Sequence, residues 1–235
     1  MISLPPKPVE AMLFDMDGTV LTSIVTAERI WSRWATAHGL DVATFLPTIH
    51  GVRAVETISR LNLPGIDPEA EAAAITELEL EDIDGVEAIA GACDFLSVLP
   101  RNQWAIVTSA PRILALKRLT AAGLPIPDVL VAAEDVKRGK PAPDCYNLAA
   151  DKLGVAPANC LVFEDAAAGI AAAQAAGASI VVITATHNED APERHHHVAS
   201  SRLRYPCITD YRHARAGRGT DGTLELQLGW PILPA

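Results

Sequence analysis

The chain has 235 residues, 49% of them hydrophobic, which is enough for one large domain or for a core carrying a smaller insertion. A formal net charge of -10, only 5% aromatic residues and no basic run longer than a few residues exclude a nucleic-acid binder. There is no 18-residue apolar stretch for a membrane span, and the proline-broken start, residues 1–8, has no apolar core for a signal peptide. The four cysteines, Cys93, Cys145, Cys160 and Cys207, lack Cys-x-x-Cys spacing, so a cytoplasmic protein with buried free thiols is expected.

Ala11-Met12-Leu13-Phe14 predicts a buried strand that runs into Asp15-Met16-Asp17-Gly18-Thr19. Side chains two apart on extended chain point the same way, so Asp15 and Asp17 project together while Met16 turns inward. Two carboxylates at the mouth of a sheet can divide labour: one attacks an electrophile and the other carries a proton. Gly18 permits the turn and Thr19 can hydrogen-bond the loop. A calcium loop would need further oxygen ligands and a later glutamate, and Val20 to Ile24 supply none.

After this strand the spacing becomes helical. Ile24, Ile30, Trp31, Trp34 and Ala35 recur between Ser23 and Gly39, and further helices are expected over Ala54–Leu61 and over 68–80. The block 24–90 shows no strand. From Gly91 onward the chain alternates: helix 94–99, strand Trp104–Val107, helix 111–122 with a proline at its start, and strand Val129–Val131. Helix 143–153, strand 160–163, helix 166–176 closed by Gly177, and strand Ser179–Ile183 follow. Short connections between alternating strands and helices predict an α/β fold, a Rossmann-like doubly wound parallel sheet covered on both faces. The first strand must join that sheet. The expected core is therefore 1–23 with 91–235, interrupted by a helical insertion, 24–90. His195-His196-His197 reads as a solvated loop, since consecutive side chains on regular structure do not face one ion. Residues 221–235, with Leu224, Leu226, Leu228 and Trp230, read as a short terminal strand with no assigned neighbour.

Ligands of such sheets sit beyond the carboxyl ends of the strands, and each of these ends carries chemistry. The first ends in Asp15 and Asp17. The second ends in Thr108-Ser109, hydroxyls before a helix that suit a phosphate oxyanion. The third leads to Gly139-Lys140-Pro141, where a lysine can neutralise a phosphate or a nucleophilic carboxylate. The fourth ends in Glu164-Asp165, acids that can complete a magnesium site with Asp15. An anionic chain that takes an anionic substrate needs local positive charge, and a metal ion is one source of it.

Asp15-Met16-Asp17-Gly18-Thr19, Thr108, Lys140 within Gly139-Lys140-Pro141-Ala142-Pro143-Asp144, and Phe163-Glu164-Asp165 together resemble the haloacid dehalogenase superfamily, in its small-molecule phosphatase branch. The resemblance, to the branch that also holds the β-phosphoglucomutases, spans about residues 9–210 and reaches the insertion, where His50-Gly51-Val52-Arg53 is similar to the cap segment of the 2-deoxyglucose-6-phosphatase and glycerol-phosphatase group. It implies an inserted α-helical cap domain and two-step phosphoryl transfer with Mg2+. On that resemblance Asp15 is the nucleophile that becomes an aspartyl-phosphate, and Asp17 is the general acid and then base. Thr108, Ser109 and Lys140 bind the phosphoryl group. The metal is held by Asp15, the backbone carbonyl of Asp17, Asp165, and Glu164 directly or through water. His50, Gly51 and Arg53 contact the substrate from a cap that closes as a lid. The second aspartate favours a phosphatase or phosphomutase over a dehalogenase. Many relatives carry serine or threonine after the last acids, where this chain has Ala166. The expected activity is hydrolysis of small sugar or polyol phosphate monoesters. A β-phosphoglucomutase-like mutase and an inactive regulatory module are the alternatives, and a small phosphorylated metabolite is the expected partner.

Overall fold

The computed structural model describes residues 8–186 and 205–228. His195, His196, His197 and Trp230 lie outside the described residues. Six strands form one parallel sheet among those residues: β1 (Ala11–Phe14), β4 (Trp104–Val107), β5 (Val129–Val131), β6 (Cys160–Glu164), β7 (Ser179–Ile183) and β8 (Cys207–Ile208). Their order across the sheet is β5-β4-β1-β6-β7-β8, so β1 sits in the interior, with Phe14 level with Ile106 on one side and Phe163 on the other.

Alternation along β1 builds two cores. Met12 and Phe14 face a layer that contains Phe95, Ile106, Phe163 and Tyr211, while Ala11 and Leu13 face one that contains Val107, Tyr146, Val162 and Ile170. Phe14 stacks on Phe163 with ring centroids 4.5 Å apart, a pair that adds about 0.5–1.5 kcal/mol to the burial of both rings. The covering helices are α5 (Ala92–Ser97), α6 (Arg112–Ala121), α7 (Asp144–Leu153) and α8 (Ala167–Ala176). Gly154 and Gly177 close the last two in left-handed conformation. The doubly wound α/β expectation therefore holds. α5 starts two residues earlier than its periodicity suggested, because Gly91, at φ +80, turns the chain directly into Ala92. Pro111 serves as the N-cap of α6 rather than its first residue.

Between β1 and α5 lie α1 (Ile24–Ala37), α2 (Val42–Phe45), α3 (Ala54–Leu61) and α4 (Pro68–Glu81). Asp67 caps α4 by accepting from the Glu69 N–H, with Pro68 at the first helical position. These helices bury their own cluster, Ile30, Trp31, Trp34, Phe45, Ile58 and Ile75 among its members. The block is not free of strand. β2 (Leu21–Thr22) pairs antiparallel with β3 (Glu87–Ala88), so the outgoing and returning connections are hydrogen-bonded to each other. Two-residue strands are too short to show a period of two, which is why the sequence hid them.

The terminal segment does find a partner. β9 (Ala214–Arg218) and β10 (Leu224–Leu228) form an antiparallel hairpin, and the Leu224 N–H donates to the Val9 carbonyl at 2.6 Å. Cys145, Cys160 and Cys207 are buried free thiols, whereas Cys93 is free but exposed. No helix among the described residues is long and apolar enough to cross a membrane.

Candidate active site

The turn after β1 is wound on one carbonyl: Met16 O accepts from the N–H groups of Thr19, Val20 and Leu21. Met16 is wholly buried. Gly18 adopts φ +89, and a Cβ there would overlap the Asp165 carboxylate, so this glycine is required twice. Thr19 Oγ donates to Asp165 Oδ1 at 3.3 Å, and Tyr211 OH donates to the Thr19 carbonyl.

Asp15 is 5% exposed and lies against Lys140, which is 2% exposed. Lys140 Nζ spends its three protons on Asp15 Oδ1 at 2.5 Å, Glu164 Oε1 at 2.7 Å and the Val107 carbonyl at 3.2 Å. Glu164, at the end of β6, is fully buried. Its Oε1 accepts from Lys140 and Tyr146 OH, and its Oε2 from the N–H groups of Asp165 and Ala166. A carboxylate has about four acceptor positions, and protein donors occupy all of them here. Tyr146 carries no signal in the sequence that marks it as part of this site. It sits on an ordinary helical core position of α7, and only the packing of α7 under the sheet brings its hydroxyl to Glu164.

Burial pushes the Asp15 carboxyl up to about 7, with Lys140 opposing and Glu164 adding to the rise. Burial, then Asp15 and Glu164, likewise raise Asp165 well above the usual carboxylate range. Burial alone would lower the Lys140 ammonium, but Asp15 and Glu164 outweigh it and hold it above the ordinary lysine value. Carboxylate oxygens of Asp15, Glu164 and Asp165 all lie within 4.8 Å of one another. Glu164 is already filled with donors, so Asp15 and Asp165, which burial makes reluctant to ionise, are the members that fit a small hard cation, which would favour their ionised form.

Asp17 turns to other partners. Its Oδ1 accepts from Ser23 Oγ at 2.6 Å and from Arg118 Nη1 at 3.0 Å. Thr108 is buried at the end of β4, and its Oγ accepts from the Ala110 N–H. Ser109 Oγ donates to the Gly51 carbonyl at 3.0 Å, joining the sheet side to the helical insertion. Gly51, at φ +73, rests on Ala166: a Cβ at Gly51 would come within 2.6 Å of the Ala166 Cβ. That contact suits alanine after the paired acids.

Asp15, Asp17, His50, Gly51, Thr108, Ser109 and Asp165 line one cavity of about 110 Å³, room for several waters and hence for a small polar ligand. His50 Nε2 stands 3.8 Å from Glu28 Oε1. Arg53 does not line that cavity. Its guanidinium donates to the carbonyls of Ala133, Val136 and Lys137 and to Glu56, while Glu56 accepts from the Gly139 N–H. The substrate contact expected of Arg53 is thus replaced by a clasp on the segment that carries Lys140.

Residues 9–177 match the model of the haloacid dehalogenase-like hydrolases, and the chain belongs to that family. It is 42% identical over 180 residues to hexitol phosphatase A of Escherichia coli, a match covering 75% of this chain and 83% of that protein. It is 31% identical over 207 residues to 2-deoxyglucose-6-phosphate phosphatase 2 of Saccharomyces cerevisiae, covering 79% and 84% of the two chains. A crystal structure of a family hydrolase from Deinococcus radiodurans, with bound phosphate and sodium, superposes with a TM-score of 0.59 at 28% identity, covering 86% of this chain and 91% of that one.

Proposed function

We propose that this chain is a magnesium-dependent phosphatase of small sugar or polyol phosphate monoesters, working through an aspartyl-phosphate. The observation that carries the reading is the convergence of Asp15, Asp17, Thr108 and Asp165 on one cavity, with Lys140 bonded to Asp15 beneath it. The enzyme is a phosphoric monoester hydrolase. The substrates named by its relatives support sugar and polyol phosphates as the class.

Asp15 attacks phosphorus, and the bond to the leaving oxygen breaks as Asp17 protonates that oxygen. Asp17 then takes a proton from water, whose oxygen attacks the acyl phosphate and releases phosphate with Asp15 restored. Ser23 and Arg118 orient the Asp17 carboxylate for both proton transfers. Thr108 and the backbone after it line the cavity for the transferring group, while Lys140 acts from behind Asp15, its charge kept by the two carboxylates that hold it. Asp15, Asp165 and the backbone carbonyl of Asp17 are the proposed ligands of the cation, which supplies neutralisation of the phosphoryl oxygens. Glu164 acts chiefly by fixing Lys140.

Residues 24–90 act as a helical cap on a core of 1–23 and 91–235. The paired strands β2 and β3 form the hinge, and Ser109 with Arg53 holds the cap against the core. The test is a phosphate-release screen over hexitol, hexose and glycerol phosphates, with and without magnesium and with excess chelator. Release that needs magnesium is the expected result. Full activity in chelator, or no release from any monoester, refutes the proposal.

A further inference from the structure

Arg118 rises from α6 and Glu79 descends from α4, and both line the cavity that holds Asp15 and Asp17. The Arg118 side chain is 6% exposed and that of Glu79 is 10% exposed. One guanidinium nitrogen, Nη1, is committed to Asp17. The other, Nη2, is buried and ion-paired with Glu79 Oε1 at 3.1 Å, outside good hydrogen-bond geometry. Because that ion pair lies off the hydrogen-bond direction, a ligand oxygen delivered there can take a proton that Glu79 leaves poorly used.

The charges around this point are two carboxylates against one guanidinium. Among the described residues that line the cavity there is no lysine and no second arginine, and His50 stands beside Glu28. A further anion brought in with the leaving group therefore meets Glu79 and Asp17 with no cation to spare. Trp31, Ile49 and Leu114 also line the cavity, beside Ser23 and Thr76, and offer surface to the C–H faces of a carbon chain or ring.

We propose that Arg118 and Glu79 form the leaving-group subsite, that it takes a neutral polyhydroxy chain or ring, and that Glu79 turns away a leaving group bearing a second phosphate. Arg118 donates to a hydroxyl oxygen and Glu79 accepts a hydroxyl proton. Because Arg118 also holds Asp17, a hydroxyl seated there is registered by the residue that protonates the leaving oxygen. The inference rests on the phosphatase reading and narrows it, since a mutase must bind a bisphosphate and this subsite disfavours one.

The experiment measures kcat/KM for a hexitol 6-phosphate, a hexose 1,6-bisphosphate and p-nitrophenyl phosphate in the wild type and in Glu79→Gln. The wild type is expected to prefer the hexitol monophosphate over the bisphosphate at least tenfold. In Glu79→Gln that preference shrinks at least fivefold, and the hexitol-to-aryl ratio falls at least fivefold, mainly through KM. A wild type that handles the bisphosphate as well as the monophosphate overturns the proposal even if the variant does not fold. So does a folded Glu79→Gln, checked by thermal melting, with both ratios unchanged. A wild type inactive on all three substrates removes the phosphatase reading itself, a result distinct from either.

Discussion

Replacing Gly169 with alanine sets two physical rules against each other. Gly169 lies in the first turn of α8, away from the cavity, and alanine in place of glycine in a helix gains about 0.8–1.0 kcal/mol from propensity alone. A Cβ at this position, however, overlaps the carboxylate of Glu164, which is wholly buried and tied by four donors. Glu164 cannot move without loosening Lys140, and breaking a buried, hydrogen-bonded pair costs about 3–5 kcal/mol. The net expectation is a loss of about 2–4 kcal/mol. For a chain of this size that lowers the melting temperature by about 5–15 °C. Turnover should fall as well, because Lys140 also positions Asp15. Thermal unfolding followed by circular dichroism, beside steady-state phosphate release, measures both effects. A variant that melts at or above the wild type would show that Glu164 is not held as described.

Three further outcomes are expected. Asp15→Asn keeps the fold but lowers turnover at least a hundredfold, about 2.7 kcal/mol of barrier, since an amide is a poor nucleophile; a well-folded variant retaining more than a hundredth of the rate removes Asp15 from the reaction. Magnesium raises the melting temperature, and more at pH 8 than at pH 5. Asp15 and Asp165 have folded pKa values raised above the unfolded ones, so the metal-free protein loses stability as pH climbs from about 4 toward about 7, where the carboxylates ionise in burial, and a cation offsets that loss only once they are ionised; a larger gain at pH 5 contradicts this sign. Arg53→Ala lowers kcat/KM for a polyol phosphate and an aryl phosphate by the same factor, because the guanidinium grips the Ala133 to Lys137 backbone rather than the ligand; a loss confined to the polyol phosphate restores a substrate contact.

Much of the fold was legible because it is written locally. Apolar runs such as Trp104–Val107 and glycine stops such as Gly177 mark the sheet and its helices at their own positions. The strand ends were legible as a group, since topology alone brings them to one side of a parallel sheet. What stayed hidden depends on distant partners. Nothing near Arg118 announces that it meets Asp17, 101 positions away, and Glu79 reads as one more acid on a helix rich in glutamate. Tyr146 looks like core until its hydroxyl is found beside Glu164. Ser109 was expected to face phosphate, whereas its hydroxyl is drawn to Gly51.

The interior place of β1 also bears on how the chain is made. Phe14 leaves the ribosome well before its neighbour Phe163, which follows 149 residues later. At about 5–20 residues per second, that strand waits roughly 7–30 s for its second partner. The helices of the insertion need no such delay, since their cluster draws on residues 30 to 75 alone. Until Trp104–Val107 follow, β1 is an unpaired apolar strand, four residues with no exposure in the finished protein. Lys140 and Glu164 are both still to come at that stage. A nascent chain that already displays the Asp15–Asp17 turn has no catalytic constellation, and activity waits for β6, which carries Glu164 and leads into Asp165.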